Sequence, residues 1–320
     1  MNEASSKYVD QIAVEKLINE KLKLVQHRVP PGAVYGYDTV LDDFSALSPR
    51  PQEVIETRKG ESIEISFPSA VRSGYEENDR VRCRYAESSR PAGSIVFVHG
   101  LYEDNVQIYG FLISMLREQG ISVYSLTLPF HYERKPAQSL FSGEFFWSGD
   151  IDRSALAFEQ ALCDLYQLYH YARASSQGEV WIVGFSLGGG ITLRLTDLAA
   201  VDGVFAINPV CNIGQLVWNS ALFATVKSDL QASGLSLADV QARYRAFEPL
   251  NVEPGRTSHN NVVLARGLYD QINDPDNYDL LAARRGITHV LSYKAGHLNV
   301  LRVPRLATDI SRFYFGGRGR

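Results

Sequence analysis

Cysteine is scarce in this sequence. Cys83, Cys163 and Cys211 are the only three in 320 residues, and their spacing matches neither a metal-ligand pair nor a paired framework. An odd, scattered set argues against a disulfide scaffold and against a zinc site, and it suits a reducing compartment. An excess of positive charge is missing too: 32 Lys and Arg face 36 Asp and Glu, giving a formal net charge of -4 and an isoelectric point near 6.0. Nucleic-acid binding draws on a clustered basic surface that releases counterions, so no nucleic-acid partner is expected. Long apolar runs are equally absent. Glu3, Asp10, Glu15 and Lys16 interrupt the first segment, which lacks the apolar stretch of a secretory signal, and a cytoplasmic location is expected. One stretch, Gly203 to Val226, is free of charge over a length that could cross a bilayer. Its Asn208, Pro209, Asn212, Gln215 and Asn219 argue against a transmembrane segment and for a buried strand leading into a helix.

What is present is an ordinary globular composition, 45% hydrophobic and 21% charged, long enough for one large core. Residues 1–60 read as a partly helical appendage. Val9, Ile12, Ala13 and Leu17 recur at helical spacing, HRVPPGAVYGY then breaks the pattern, and the segment carries no recognisable chemistry. The core is expected over 61–211 and 248–320. It opens with two alternating runs, Ile63, Ile65, Phe67 and Val81, Cys83, Tyr85, separated by GYEENDR, which predict antiparallel entry strands.

From Ser94 onward the pattern changes to short continuous apolar runs alternating with helical segments, as expected of parallel strands covered on both faces. The predicted strands are Ile95 to Val98, Ile121 to Leu126, Val180 to Val183, Val204 to Ile207, Val262 to Ala265 and His289 to Leu291. Helices fit between them, the clearest over Val106 to Gln119, where Ile108, Phe111, Leu112, Met115 and Leu116 form a stripe stopped by Gly120. Another runs from about Ile151 to Ala174. Two connections are too long to be simple links: PFHYERKPAQSLFSGEFFWSGD, and a helical excursion over 212–247 in which Ser236 and Asp239 have capping-box spacing. The second predicts a helical lid.

The stretch that carries chemistry is VWIVGFSLGGGITLRL, from Val180 to Leu195. A strand pattern stops at Gly184 and a helical one resumes within a few residues, with Ser186 at the corner between Gly184 and Gly188. A G-x-S-x-G pentapeptide in that setting is a nucleophile elbow: a strained backbone lifts the hydroxyl above the sheet, and glycines remove side chains that would collide with the turn. The helix that follows aims unpaired amides at the site, so the Leu187 N–H can stabilise a developing oxyanion. A dinucleotide loop needs G-x-G-x-x-G and a phosphate loop needs a Lys after its last glycine; GFSLGGGIT satisfies neither.

Three further elements surround this corner. FVHG closes the first parallel strand, where the Leu101 amide can supply a second oxyanion donor. ARGLYDQIND places Asp270 just beyond the fifth, and SYKAGHLNVL places His297 after the sixth. Asp274 and Asp276 lie close behind Asp270, in NDPD, which reads as a surface turn. The order Ser, Asp, His, with these turns, resembles the α/β-hydrolase superfamily from about Ser94 to the end.

That resemblance implies an α/β fold with a mostly parallel twisted sheet, helices on both faces and a lid inserted after the strand that follows the elbow. It implies a serine hydrolase cleaving a carboxylic ester or thioester of a small molecule through an acyl-enzyme, with Ser186, His297 and Asp270 as catalytic residues, the Leu101 and Leu187 amides as oxyanion hole, and neither cofactor nor metal. The same fold hosts cofactor-free C–C hydrolases or lyases and non-catalytic ligand receptors, so those alternatives stay open, as does a homo-oligomer. PFHYERKP occupies the place where relatives have a Pro-Gly-His-Gly loop, with Phe130 and Tyr132 standing for both glycines. His99 is expected to brace its loop. His131 either lines the cleft or braces its loop, and Phe145, Phe146 and Trp147 form either an apolar wall for the substrate or local core.

Overall fold

A computed structural model describes residues 2–25, 40–176, 178–251 and 255–316 of the chain. The HRVPPGAVYGY break and most of the FGGRGR tail fall outside the described residues. Nine strands form one sheet: β1 Ile55–Lys59, β2 Ser62–Pro68, β3 Arg80–Ala86, β4 Gly93–Val98, β5 Ile121–Thr127, β6 Val180–Phe185, β7 Gly203–Ile207, β8 Val262–Gly267 and β9 His289–Tyr293, in the order β1-β2-β3-β5-β4-β6-β7-β8-β9. The pairs along β1-β2-β3-β5 are antiparallel and every other neighbouring pair is parallel.

The apolar runs of β4 to β8 are continuous because both faces are covered. Ile95, Phe97, Val183, Phe205 and Val263 face one layer, built by α2 (Gly110–Glu118) and α9 (Pro304–Gly316) through Leu112, Leu116, Leu306 and Ile310. Val96, Val98, Ile182, Val204 and Leu264 face the other, built by α3 (Ile151–Ser175), α4 (Leu187–Leu198) and α8 (Asp276–Arg285). At roughly 25 cal/mol per Å² of apolar surface removed from water, these two layers are the main source of stability. The predicted helix at Val106 begins as a 3₁₀ turn, Val106–Tyr109, capped by the Asn105 side chain accepting from the Gln107 N–H at 2.9 Å. Its Ile108 and Phe111 remain exposed.

Between β7 and β8 the chain makes three helices, α5 (Ile213–Asn219), α6 (Ala224–Ala232) and α7 (Leu237–Tyr244), and Ser236 and Asp239 form the reciprocal capping box at the start of α7. The other long connection has little regular structure, yet it is buried. Arg134 anchors it, pairing with Asp164 at 2.8 Å and donating to the Asn78 and Thr127 carbonyls. β1 had no signal in the sequence: its five residues are exposed, so no alternation marks it, and backbone pairing with β2 alone defines it. The helical spacing near the N-terminus is realised as α1, Glu3–Glu20. Its buried residues are Ser6 and Asp10, while Val9 and Ile12 of the apolar stripe face solvent. No described helix is long and apolar enough to cross a membrane.

Candidate active site

β6 ends at Phe185 and α4 starts at Leu187, so Ser186 makes the whole turn by itself, with φ 53° and ψ -115°. A non-glycine residue there costs on the order of 1–3 kcal/mol and persists only when its surroundings fix it. They do. The Ser186 N–H donates to the Ile207 carbonyl at 2.9 Å, and its own carbonyl accepts from Gly190 and Val210. A Cβ on Gly188 would overlap the carbonyls of Val98 and His99, and one on Gly184 would overlap the Gly188 carbonyl. The two glycines therefore let β6, β4 and α4 meet at contact distance below the hydroxyl.

Ser186 Oγ lies 2.9 Å from His297 Nε2, and His297 Nδ1 lies 2.8 Å from Asp270 Oδ2. All three side chains are buried. The partners assign the tautomer: Nδ1–H donates to the carboxylate, leaving Nε2 to accept from the hydroxyl. Asp270 is held in turn. Its Oδ1 accepts the N–H groups of Ile272 at 2.8 Å and Asn273 at 3.0 Å, and Tyr278 donates its hydroxyl to Oδ2 at 3.0 Å. Burial alone would lower the His297 pKa, but the charge and hydrogen bond of Asp270, with smaller contributions from Asp10 and Glu103, outweigh it and raise the pKa above the ordinary imidazole value. Asp274 and Asp276 are exposed, and the Asp274 carboxylate caps the Asp276 N–H instead.

Leu187 is the first residue of α4 and Leu101 lies in the turn after β4; neither amide N–H has an acceptor among the described residues. The turn that carries Leu101 is braced by both histidines. His99 Nε2 accepts from the Leu128 N–H at 3.0 Å and His131 Nε2 from the Tyr102 N–H at 3.3 Å, while their Nδ1 atoms sit 2.7 and 2.8 Å from the carbonyls of Gly100 and Pro129. Burial lowers the His99 pKa to about 4 and that of His131 well below the ordinary value, so both work as neutral rings. Phe130 and Tyr132, at the positions of the expected glycines, keep the left-handed backbone with φ 62° and 47°. Phe130 is held by its N–H to Asn78 Oδ1 at 2.7 Å, and Tyr132 by its hydroxyl to Glu103 at 3.1 Å.

A cavity of about 380 Å³ opens onto Ser186 and His297. Leu101, Ile108, Phe185, Ile272 and Leu298 line it from the core, Leu222 from the turn between α5 and α6, and Ala13, Val14 and Leu17 of α1 complete the wall. The structure does not bring His131, Phe145, Phe146 or Trp147 to this wall. Phe146 packs on Phe158 with ring centroids 5.0 Å apart, Trp147 on Phe223 at 4.4 Å, and Phe145 against Tyr75 and Phe130, so these rings are local core.

Sequence reasoning missed three residues that shape the site. Asn208, at φ 42° just after β7, donates to the His297 carbonyl at 3.0 Å, accepts from Gly267 N–H at 2.7 Å, and offers its own carbonyl to Asn273. An Asn closing an apolar strand was a usable signal for such a left-handed corner. Tyr278 carries no motif of its own and reaches Asp270 from the first turn of α8. Asp10 gave no signal, because a lone carboxylate on an amphipathic helix reads as a solvated residue, whereas here it is buried with Ser6 against the turn at 296–299.

The profile of the alpha/beta hydrolase family matches residues 95–316. No curated protein matches the sequence. Among solved structures, acetyl xylan esterase 1 from Thermoanaerobacterium sp. JW/SL YS485 is similar with a TM-score of 0.59 at 16% identity, over 86% of this chain and 91% of its own. An acetyl xylan esterase from Paenibacillus sp. R4 has a TM-score of 0.59 at 14% identity, over 92% and 98%. The Pyrococcus horikoshii acylaminoacyl peptidase has 0.51 at 15% identity, over 80% of this chain and 48% of its own. At these identities the likeness is one of fold. The profile match runs from β4 through the elbow to α9, over the same parallel sheet and helical layers described above, and the chain belongs to the alpha/beta hydrolase family.

Proposed function

We propose that the protein is a serine hydrolase that cleaves a carboxylic ester or thioester of a small molecule through an acyl-enzyme. One observation carries this reading: the unbroken chain Ser186 Oγ, His297 Nε2, His297 Nδ1, Asp270 Oδ2, with links of 2.9 and 2.8 Å, at the edge of a largely apolar cavity. Ser186 attacks the substrate carbonyl while Nε2 takes its proton, and Asp270 holds the ring and balances the imidazolium. The carbonyl oxygen, now negative, receives the free N–H groups of Leu187 and Leu101, a contribution of roughly 10²–10³ in rate for each donor. Collapse of the tetrahedral species passes the proton from Nε2 to the departing alcohol or thiol. Water then enters, gives its proton to Nε2 and its oxygen to the acyl carbon, and the second collapse returns the proton to Ser186. The cavity of about 380 Å³ suits a small to medium acyl group, with α5 to α7 forming a cap that contributes Leu222.

The test is covalent labelling by a fluorophosphonate, with mapping of the labelled peptide, followed by turnover of aryl esters and thioesters of increasing acyl length. The wild type is expected to label at Ser186 and turn over at least one series; Ser186→Ala is expected to lose labelling and to cut turnover by roughly 10⁴-fold or more. A wild type inert in both assays, or a Ser186→Ala variant that still labels, defeats the reading.

A further inference from the structure

His297 is gripped from two sides. Asp270 holds the ring, and a second buried carboxylate, Asp10 of α1, holds the main chain from 287 residues away in sequence: its Oδ2 accepts the His297 N–H at 2.6 Å and its Oδ1 accepts the Leu298 N–H at 3.0 Å. One turn earlier on α1, Ser6 Oγ accepts from Asn299 Nδ2 at 3.1 Å, and Asn299 Oδ1 accepts the Gly296 N–H. A Cβ on Gly296 would meet the Asp10 carboxylate and the Ser6 carbonyl, so the glycine of this Gly-His turn is the space in which α1 is seated.

The position of the ring follows from the position of this main chain. Nε2 must stay within reach of Ser186 while Nδ1 stays on Asp270, and a shift of about 1 Å at such a site can cost on the order of 100-fold. Charge acts in the same direction. The groups facing His297 are Asp270, Asp10 and Glu103, with the Tyr278 hydroxyl behind Asp270; Lys16 of α1 and Lys21 just after it line the adjoining cavity, Lys21 in an ion pair with Asp104 at 2.6 Å. We infer that Asp10 is a positioning residue for His297, fixing the main chain of its turn and supplying a second negative charge that favours the imidazolium formed during catalysis. The inference rests on the reading of His297 as general base, and it gives the N-terminal helix a part in the chemistry as well as in the cavity wall.

Asp10→Asn removes the charge and turns an N–H donor toward one of the two amides. The measurements are kcat and KM for an ester, the pH profile of kcat/KM, and the NMR titration of the His297 ring in full-length protein, assigned with His297→Gln. The expected result is a fall in kcat of roughly 10- to 100-fold with KM within about threefold, and a shift of both the ring titration and the acid limb toward lower pH by about half a unit to one unit, because the lost negative charge had favoured the protonated ring. Ile12→Ala, on the exposed face of the same helix, serves as the control and is expected to change neither. If Asp10→Asn does not fold, Asp10→Ser, which leaves room for water at the two amides without a charge, is read in the same way. A folded variant whose kcat stays within about twofold of wild type, or whose ring titration does not move, overturns the proposal. The ring titration needs no turnover, so a wild type without esterase activity defeats the functional reading while leaving the Asp10 contact separately judged.

Discussion

The corner between β6 and α4 and the helix α1 converge on one histidine, yet they are fixed by different means. At the corner the fixing agent is exclusion: Ser186 sits in the left-handed region, its peptide is bonded to β7 and to α4, and Gly184 and Gly188 leave no room for a single extra carbon. On α1 it is a few buried polar bonds, from Asp10 and Ser6 to the turn at 296–299, with Leu17 and Ile18 adding partly buried apolar contact. Its outer face carries Tyr8, Val9 and Ile12 at 64%, 38% and 44% exposure. A strained backbone has to be over-determined by a packed core if the strain is to persist. An element attached by a handful of side-chain bonds can instead be loosened by one substitution while the core stays folded. The site therefore has a rigid inner frame and a separable outer wall.

The largest expected effect lies in the frame. Asp270→Asn keeps the shape of the side chain but presents the wrong hydrogen-bonding group to Nδ1, and turnover is expected to fall by roughly 10⁴-fold, whereas Asp274→Asn and Asp276→Asn, both exposed, are expected to stay near wild type. Ester-hydrolysis rates of the three variants, each checked by thermal melt, decide it; an active Asp270→Asn beside an inactive neighbour moves the acid elsewhere. Next comes Gly188→Ala, whose methyl group would be driven into two main-chain carbonyls that cannot yield without parting β4 from α4. A loss of about 3–5 kcal/mol is expected, read from urea unfolding. A loss below about 1 kcal/mol would show that the corner is not held by exclusion, and the contrast with α1 would vanish.

Much of the frame could be read from sequence for one physical reason: strands buried on both faces appear as continuous apolar runs, and the turns at their carboxyl ends carry the polar residues that have no place in the sheet. β4 to β8 follow from that pattern, as do the positions of Ser186 and Asp270 after β6 and β8, while β9, a half-buried edge strand ahead of His297, shows only a short apolar run. The remainder depended on partners distant in sequence. The inward face of α1 is set by the main chain at 296–299, which takes Ser6 and Asp10, so only Ala13 and Leu17 of its apolar stripe turn inward while Val9 and Ile12 face solvent. Phe130 and Tyr132 occupy left-handed positions because hydrogen bonds to Asn78 and Glu103 hold them there, which no local propensity reports. Phe145, Phe146 and Trp147 could have been cavity wall or core, and the choice was made by Tyr75, Phe158 and Phe223 arriving from β2–β3, α3 and the α5–α6 turn.

The smallest effect tests the seam between frame and wall. Glu103 lines the same cavity as Lys16 of α1 and Lys21 just after it, only 12% of its side chain is exposed, and the hydroxyls of Tyr109 and Tyr132 both donate to it. Burial pushes its carboxyl up to about 7 from an ordinary value near 4.5, despite those hydrogen bonds. His99 Nδ1, 3.9 Å from the same carboxyl, moves the opposite way, lowered by burial to about 4 from 6.5. A carboxyl whose folded pKa is raised contributes stability that is complete below the unfolded value and is lost as pH rises through the folded one, here between about 4.5 and 7. A histidine held neutral does the reverse: its contribution is present at neutral pH and is lost as the unfolded state takes up a proton between about 6.5 and 4. In the wild type the two nearly cancel on mild acidification. Glu103→Gln removes one side of the balance, so urea unfolding from pH 7.5 to 4.5 is expected to show the variant losing up to about 3 kcal/mol relative to wild type as pH falls. Parallel stability curves for the two proteins would mean that Glu103 titrates as an ordinary solvated carboxylate and that the seam beneath α1 is open to water rather than closed by the helix.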